Sequence, residues 1–157
     1  MPPTTDKAGV IAPPPLLLLG AVAIGLALHH WVIPIGFGLA AGIRYGLGGV
    51  SIAAALGIAF SAIRLFSRAG THVEPWKPST ALVTGGIYGY TRNPMYLGMA
   101  LLLVGLSLIF DSVTLLLMLV PFLLVIRYGV IAREERYLTS KFPTEYPAFQ
   151  KRVRRWF

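Results

Sequence analysis

The chain has 157 residues, of which 55% are hydrophobic and only 13% charged, with a mean hydropathy of +0.69. That excludes an ordinary soluble domain, where charged residues make up roughly a quarter, and points to an integral membrane protein. Cysteine is absent, which removes disulfides, thiolate metal sites and cysteine nucleophiles; the net charge of +8 gathers beside apolar runs, which favours anionic lipid headgroups over nucleic acid as partner.

Residues 1–15 are polar and end in three prolines, and read as a flexible arm. Leu16 to Trp31 is a first apolar run; Ala21-Val22-Ala23 mimics a cleavage site but lies inside the run, so a retained helix is expected. Ile33 to Ala41 is broken by Pro34, Gly36 and Gly38 and is too short to span, so it is a re-entrant or interfacial connector, or a kinked extension of the first helix. Leu47 to Phe66 is a second span, with Gly49, Ala53 and Gly57 four apart as a candidate packing stripe.

From Ser67 to Arg92 the chain turns polar, and Pro75 and Pro78 exclude a regular helix, leaving a loop long enough to fold over something. Asn93-Pro94 supplies a cap and a fixed φ for a helix start, with Arg92 just before it, which predicts an anion site at that terminus. Met95 to Phe110 and Ser112 to Ile131 form an apolar hairpin with Asp111-Ser112 at its tip. Pro121 should kink the second arm and free the carbonyl of Leu117. In the tail, Phe142, Tyr146, Phe149, Val153 and Trp156 alternate with basic residues in the pattern of an amphipathic helix lying among headgroups, and Trp31 and Trp156 read as interfacial anchors.

These elements predict an all-α integral membrane bundle of about four transmembrane helices with a C-terminal amphipathic helix. It divides into an arm (1–15), N-terminal helices with a connector (16–66) and a catalytic region (67–157). In a four-helix arrangement Lys7, Arg64, Arg68, Lys77, Arg92 and the basic tail fall on one side and only Arg44 on the other, so both termini and both polar clusters face the cytoplasm. The hairpin then returns Arg133-Glu134-Glu135 to the edge that holds Tyr88, Arg92, Asn93 and Tyr96. No P-loop or dinucleotide fingerprint is present, no serine has an adjacent base, and three scattered histidines give no expectation of a metal.

Thr84 to Gly98, TGGIYGYTRNPMYLG, resembles the G-x-Y-x-x-x-R-[HN]-P-x-Y-x-G signature of the isoprenylcysteine carboxyl methyltransferase and phospholipid methyltransferase family. Glu134, Glu135 and Leu138, followed by Phe142, Tyr146 and Val153-Arg154-Arg155-Trp156, resemble its C-terminal block, so the likeness covers about residues 68–157. The resemblance implies S-adenosylmethionine as methyl donor and a lipophilic acceptor entering from the bilayer. It also implies a cofactor site of Tyr88, Arg92, Asn93, Pro94, Tyr96, Leu97, Glu134 and Glu135, with Arg133 and Glu135 as catalytic residues. Asn93 stands where the family often has histidine, a variant associated with bacterial members and so with the bacterial inner membrane. An isoprenylcysteine-like carboxylate and a phospholipid amine both remain open as acceptors. A sterol-type, NADPH-dependent reductase of related fold and a non-catalytic scaffold or transport subunit are the alternatives.

Overall fold

The computed structural model describes residues 6–156, and among them the chain is helical throughout, with no strand. Helix α1 (Pro14–Trp31) and helix α2 (Ala41–Arg68) are long and apolar enough to cross a membrane, as is the interrupted helix Val113–Lys141. Helix α3 (Pro94–Ile109) is the exception at 16 residues. At a rise of about 1.5 Å per residue it is about 24 Å long, short of the roughly 30 Å hydrocarbon core. None of its residues is exposed. It is therefore the central post of the bundle, and the expected set of about four spans takes the form of three long helices and a shorter one packed among them.

The α2–α3 pairing depends on glycine. A Cβ on Gly105 would lie 2.6 Å from Ile52 Cγ1 and 2.9 Å from the Gly48 carbonyl oxygen, and a Cβ on Gly48 would meet the Gly105 carbonyl at 2.9 Å. The two backbones thus touch, and Ser51 adds a hydrogen bond from its hydroxyl to the Leu101 carbonyl at 2.8 Å. The buried stripe of α2 is Gly48, Ala55 and Ala62, seven apart. The stripe expected from sequence, Gly49, Ala53 and Gly57, faces outward, because it lies one position further round the helix.

Helix α2 also starts six residues earlier than Leu47. With little water to satisfy free amides, an apolar setting favours closing the helix despite Gly42 and Gly46. Its first turn brings Arg44 Nη1 to 3.6 Å from Asp111 Oδ2. The connector before it does not extend the first helix past a kink. It is extended chain fastened to the hairpin tip, with Phe37 N donating to Asp111 Oδ1 at 2.9 Å and Val113 N donating to the Ile35 carbonyl at 3.0 Å.

The second hairpin arm begins as α4 (Val113–Leu117), capped by the Ser112 hydroxyl, which accepts from Leu115 N. It breaks at Met118, three residues before Pro121, and resumes as α5 (Leu119–Val125). A wider π turn (Ile126–Ile131) leads into α6 (Ala132–Lys141). Helix α7 (Glu145–Arg152) closes the fold. Its apolar face is not offered to lipid headgroups as expected. Tyr146, Phe149 and Val153 are buried in a cluster with Ala62 and Tyr88, flanked by Leu65, Phe66, Leu82 and Val83. Trp156 packs against the main core, whereas Trp31 stands exposed.

Residues 1–5 of the expected arm lie outside the described residues. The following stretch lies along α6: Ile11 N donates to the Gly129 carbonyl, the Gly9 carbonyl accepts from Arg133, and Asp6 pairs with Lys141 at 2.6 Å.

Overpacking a closed helix contact costs about 1–3 kcal/mol. Gly105→Ala is therefore expected to lower the unfolding midpoint in detergent, while Gly49→Ala, which meets nothing within 4 Å, leaves it unchanged or raises it. Equal midpoints for the two variants would contradict the contact.

Candidate active site

The two polar clusters converge on one cavity of about 200 Å³, whose wall includes Tyr88, Arg92, Asn93, Tyr96, Glu134 and Glu135. Three elements bring them there. A 3-10 turn (Gly86–Gly89) buries Tyr88, the start of α3 presents Tyr96, and the first turns of α6 present both glutamates. The loop between α2 and the 3-10 turn crosses above, contributing His72, Glu74, Trp76 and Ser79 to the wall. It is held by its own bonds, Thr80 N to Thr71 Oγ1 at 2.9 Å and Lys77 to Glu74 at 2.6 Å, and by Ser79 N donating to the Tyr137 hydroxyl at 3.0 Å.

The adjacent glutamates have different surroundings. Glu135 is clamped by Arg155, whose Nε and Nη2 reach its two oxygens at 3.1 and 2.7 Å, and it lies 3.2 Å from Arg92 Nη1. Glu134 accepts a hydrogen bond from the Tyr96 hydroxyl at 2.7 Å and forms no salt bridge among the described residues. Arg92 is nearly buried, at 11% side-chain exposure. Its Nε and Nη1 have no hydrogen-bond partner among the described residues, because Glu135 is close but not aligned with the N–H. Burying unsatisfied donors of this kind costs free energy that a bound anionic group would recover. Burial, and then the Glu134 carboxyl, hold the Tyr88 phenol above its ordinary range. Tyr146, also on the cavity wall, is pushed up to about 12 by burial first and then by Glu135. Both phenols are therefore neutral donors at physiological pH.

Asn93 does not cap α3. Its side-chain amide donates to the Arg155 carbonyl at 2.9 Å, the Thr91 hydroxyl donates to the same oxygen at 3.0 Å, and Arg92 N donates to the Arg154 carbonyl at 3.1 Å. The C-terminal segment thus sits on the turn that was expected to bind an anion with its helix terminus. The buried donors without hydrogen-bond partners at this turn belong to the Arg92 guanidinium instead.

Of the remaining expected residues, Pro94 is fully buried at the start of α3 and Leu97 is half-buried; neither lines the cavity. Arg133 does not line it either. It points to the opposite side of α6, donating to the Gly9 carbonyl at 2.8 Å, so the geometry gives it no access to a reacting group in the cavity. Sequence reasoning missed Arg155 and Thr91 as members of the site. One of several basic tail residues, Arg155 is set apart only by its place beside Trp156 in the C-terminal block.

The chain belongs to the phospholipid methyltransferase family, whose profile matches residues 43–145 and so includes Tyr88, Arg92, Asn93, Tyr96, Glu134 and Glu135 of the cavity wall. A protein of Haemophilus influenzae, described as an uncharacterized protein, is 44% identical over 62 residues, which is 40% of this chain and 98% of that protein. No solved structure gives a match. With three helices able to span a bilayer, family membership makes this an integral membrane protein of a methyltransferase family.

Arg155→Ala removes two charge-assisted bonds to a carboxylate that is only 15% exposed, and is expected to cost about 1–3 kcal/mol in detergent unfolding. Arg154→Ala, whose side chain is exposed and whose backbone bond survives, should stay within about 0.5 kcal/mol. The difference between the two midpoints measures the clamp.

Proposed function

We propose that the protein is a membrane-embedded methyltransferase that moves a methyl group from S-adenosylmethionine to a lipophilic acceptor reaching the cavity from the bilayer. The observation that supports this reading is the meeting, on one cavity wall, of a buried guanidinium with two nitrogens lacking hydrogen-bond partners and a carboxyl in no salt bridge among the described residues. A zwitterionic amino acid that also bears a sulfonium needs both. The residues fit: Arg92 has buried donors without hydrogen-bond partners, suited to a carboxylate, and Glu134 is a carboxyl with no cation paired to it among the described residues. Tyr88, Tyr96 and Tyr146 add neutral hydroxyls and aromatic faces that favour positive charge. The enclosed volume is below the roughly 300–1,000 Å³ of small-molecule sites, so the nucleoside end would extend under the loop of His72 and Trp76.

When bound, the cofactor supplies an electrophilic methyl group, and transfer is an in-line displacement that needs alignment and exclusion of water. Arg92 would hold the carboxylate end of the bound molecule, and Glu134 would face its positive charge. The loop and the apolar side chains of Met95, Met99 and Phe66 keep water from the wall. For an amine acceptor, a carboxyl on the wall such as Glu134 would take the proton released; for a carboxylate acceptor no proton has to move. The basic residues flanking the cavity support a cytoplasmic orientation, and Asn93 supports a bacterial inner membrane.

Titration calorimetry in detergent should show saturable binding of S-adenosylmethionine and none of NADPH. Arg92→Ala and Glu134→Gln should each weaken binding about ten- to a hundred-fold while retaining the helical circular dichroism spectrum. Unchanged affinity in both folded variants would refute the reading. Mass analysis of products formed from methyl-labelled cofactor and lipid extracts then identifies the acceptor class.

A further inference from the structure

Helix α6 has a second polar face that plays no part in the cavity. Arg133, Arg136, Tyr137 and Ser140 lie at spacings of three, four and seven, which a helix places on one side. With Lys7, Ala8 and Gly9 of the N-terminal stretch they line a separate depression of about 270 Å³ that shares no residue with the cavity. Lys7, Arg133 and Arg136 form no salt bridge among the described residues, and no carboxylate lines the depression. Asp6, the nearest acid in sequence, is neutralised by Lys141 at 2.6 and 2.7 Å.

Three cations from two segments, none of them in a salt bridge among the described residues, and the Ser140 side chain line this one open, solvent-facing depression. Arg133 is partly fixed, because its Nη1 is held by the Gly9 carbonyl while the rest of the fork remains free. The depression also lies just beyond Ile131, where the apolar run of the third long helix ends, which is the level of lipid headgroups.

We infer that Lys7, Arg133, Arg136 and Ser140 form a binding site for an anionic phosphate group, separate from the cavity. Guanidinium forks match phosphate oxygens in pairs, and cations near an anionic membrane surface contribute about 1 kcal/mol each, or about five-fold in affinity. The site gives Arg133 a role that its distance from the cavity denies it in methyl transfer, and it stands whether or not the proposed reaction does.

The full chain in detergent is titrated with phosphatidylglycerol, with phosphatidylcholine and with inorganic phosphate at constant ionic strength, and bound probe is counted by native mass spectrometry. Tighter binding of phosphatidylglycerol than of phosphatidylcholine is expected. Arg133→Gln combined with Arg136→Gln should weaken it about twenty-five-fold, while Lys151→Gln combined with Arg152→Gln on α7 leaves it within two-fold. Selective binding of phosphatidylglycerol alone identifies a lipid headgroup; equal protection by inorganic phosphate identifies a free phosphate. No difference between the parent and the Arg133/Arg136 variant with either probe, or an equal loss in the α7 variant, overturns the site. Should the double glutamine variant fail to fold, Lys7→Gln decides: a loss of about five-fold supports the site and unchanged affinity overturns it.

Discussion

The site depends on the clamp between Arg155 and Glu135. One residue near the C-terminus uses its guanidinium to hold a carboxylate on α6 and its carbonyl to receive Asn93 and Thr91 from the turn before α3. Three segments distant in sequence are thereby fixed relative to one another. The clamp largely neutralises Glu135, and that frees Arg92, its second neighbour, from full engagement. A buried cation with spare donors persists only where the surrounding structure enforces it. Here the enforcement comes from the tail, so an element that looks peripheral in sequence sets the charge of the cavity.

Beneath the clamp, the α2–α3 contact places the helix that carries Tyr96. Because Gly48 and Gly105 let the backbones meet, α3 can sit in the middle of the bundle instead of at its edge. A central helix surrounded by protein need not match the bilayer thickness, so its start can lie below the level where its neighbours end. Tyr96 and Glu134 then meet in an apolar setting where water competes little for their hydrogen bond.

The fold class, the apolar runs, the hairpin tip and the convergence of the two clusters were legible in the sequence, since each rests on hydropathy, on glycine and proline punctuation, or on the motif itself. What failed were inferences about direction. Gly49 and Gly48 are equivalent in composition, and one residue of helical rotation decides which meets a partner. Asn93-Pro94 has the pattern of a capped helix start, but a carbonyl arriving from 62 residues away captured the amide first. The apolar face of the tail was recognised, yet hydropathy does not distinguish burial against protein from burial against lipid. Arg133 was assigned to the cavity by adjacency to Glu134, although neighbours on a helix point about 100° apart.

That rotation also accounts for how a single turn of α6 serves several purposes. Glu134 points to Tyr96 and the open part of the cavity, Glu135 one step round meets Arg155 and Arg92, and Arg133 one step back faces the N-terminal stretch. Three consecutive charged residues would repel or neutralise one another on a single face. Spread over the helix, they give a carboxyl bonded to a phenol, a carboxylate paired with arginine and a guanidinium held by a backbone carbonyl, each in a different environment. The preceding π turn matters here, because a wider turn shifts the register of every residue after it relative to the spanning segment. Restoring regular α-helix through residues 126–131 would rotate the glutamates as a pair, carrying Glu134 away from Tyr96 and Glu135 away from its clamp. The irregularity in the last long helix is thus part of how the charged site is aligned, and it links the apolar half of the molecule to its chemistry.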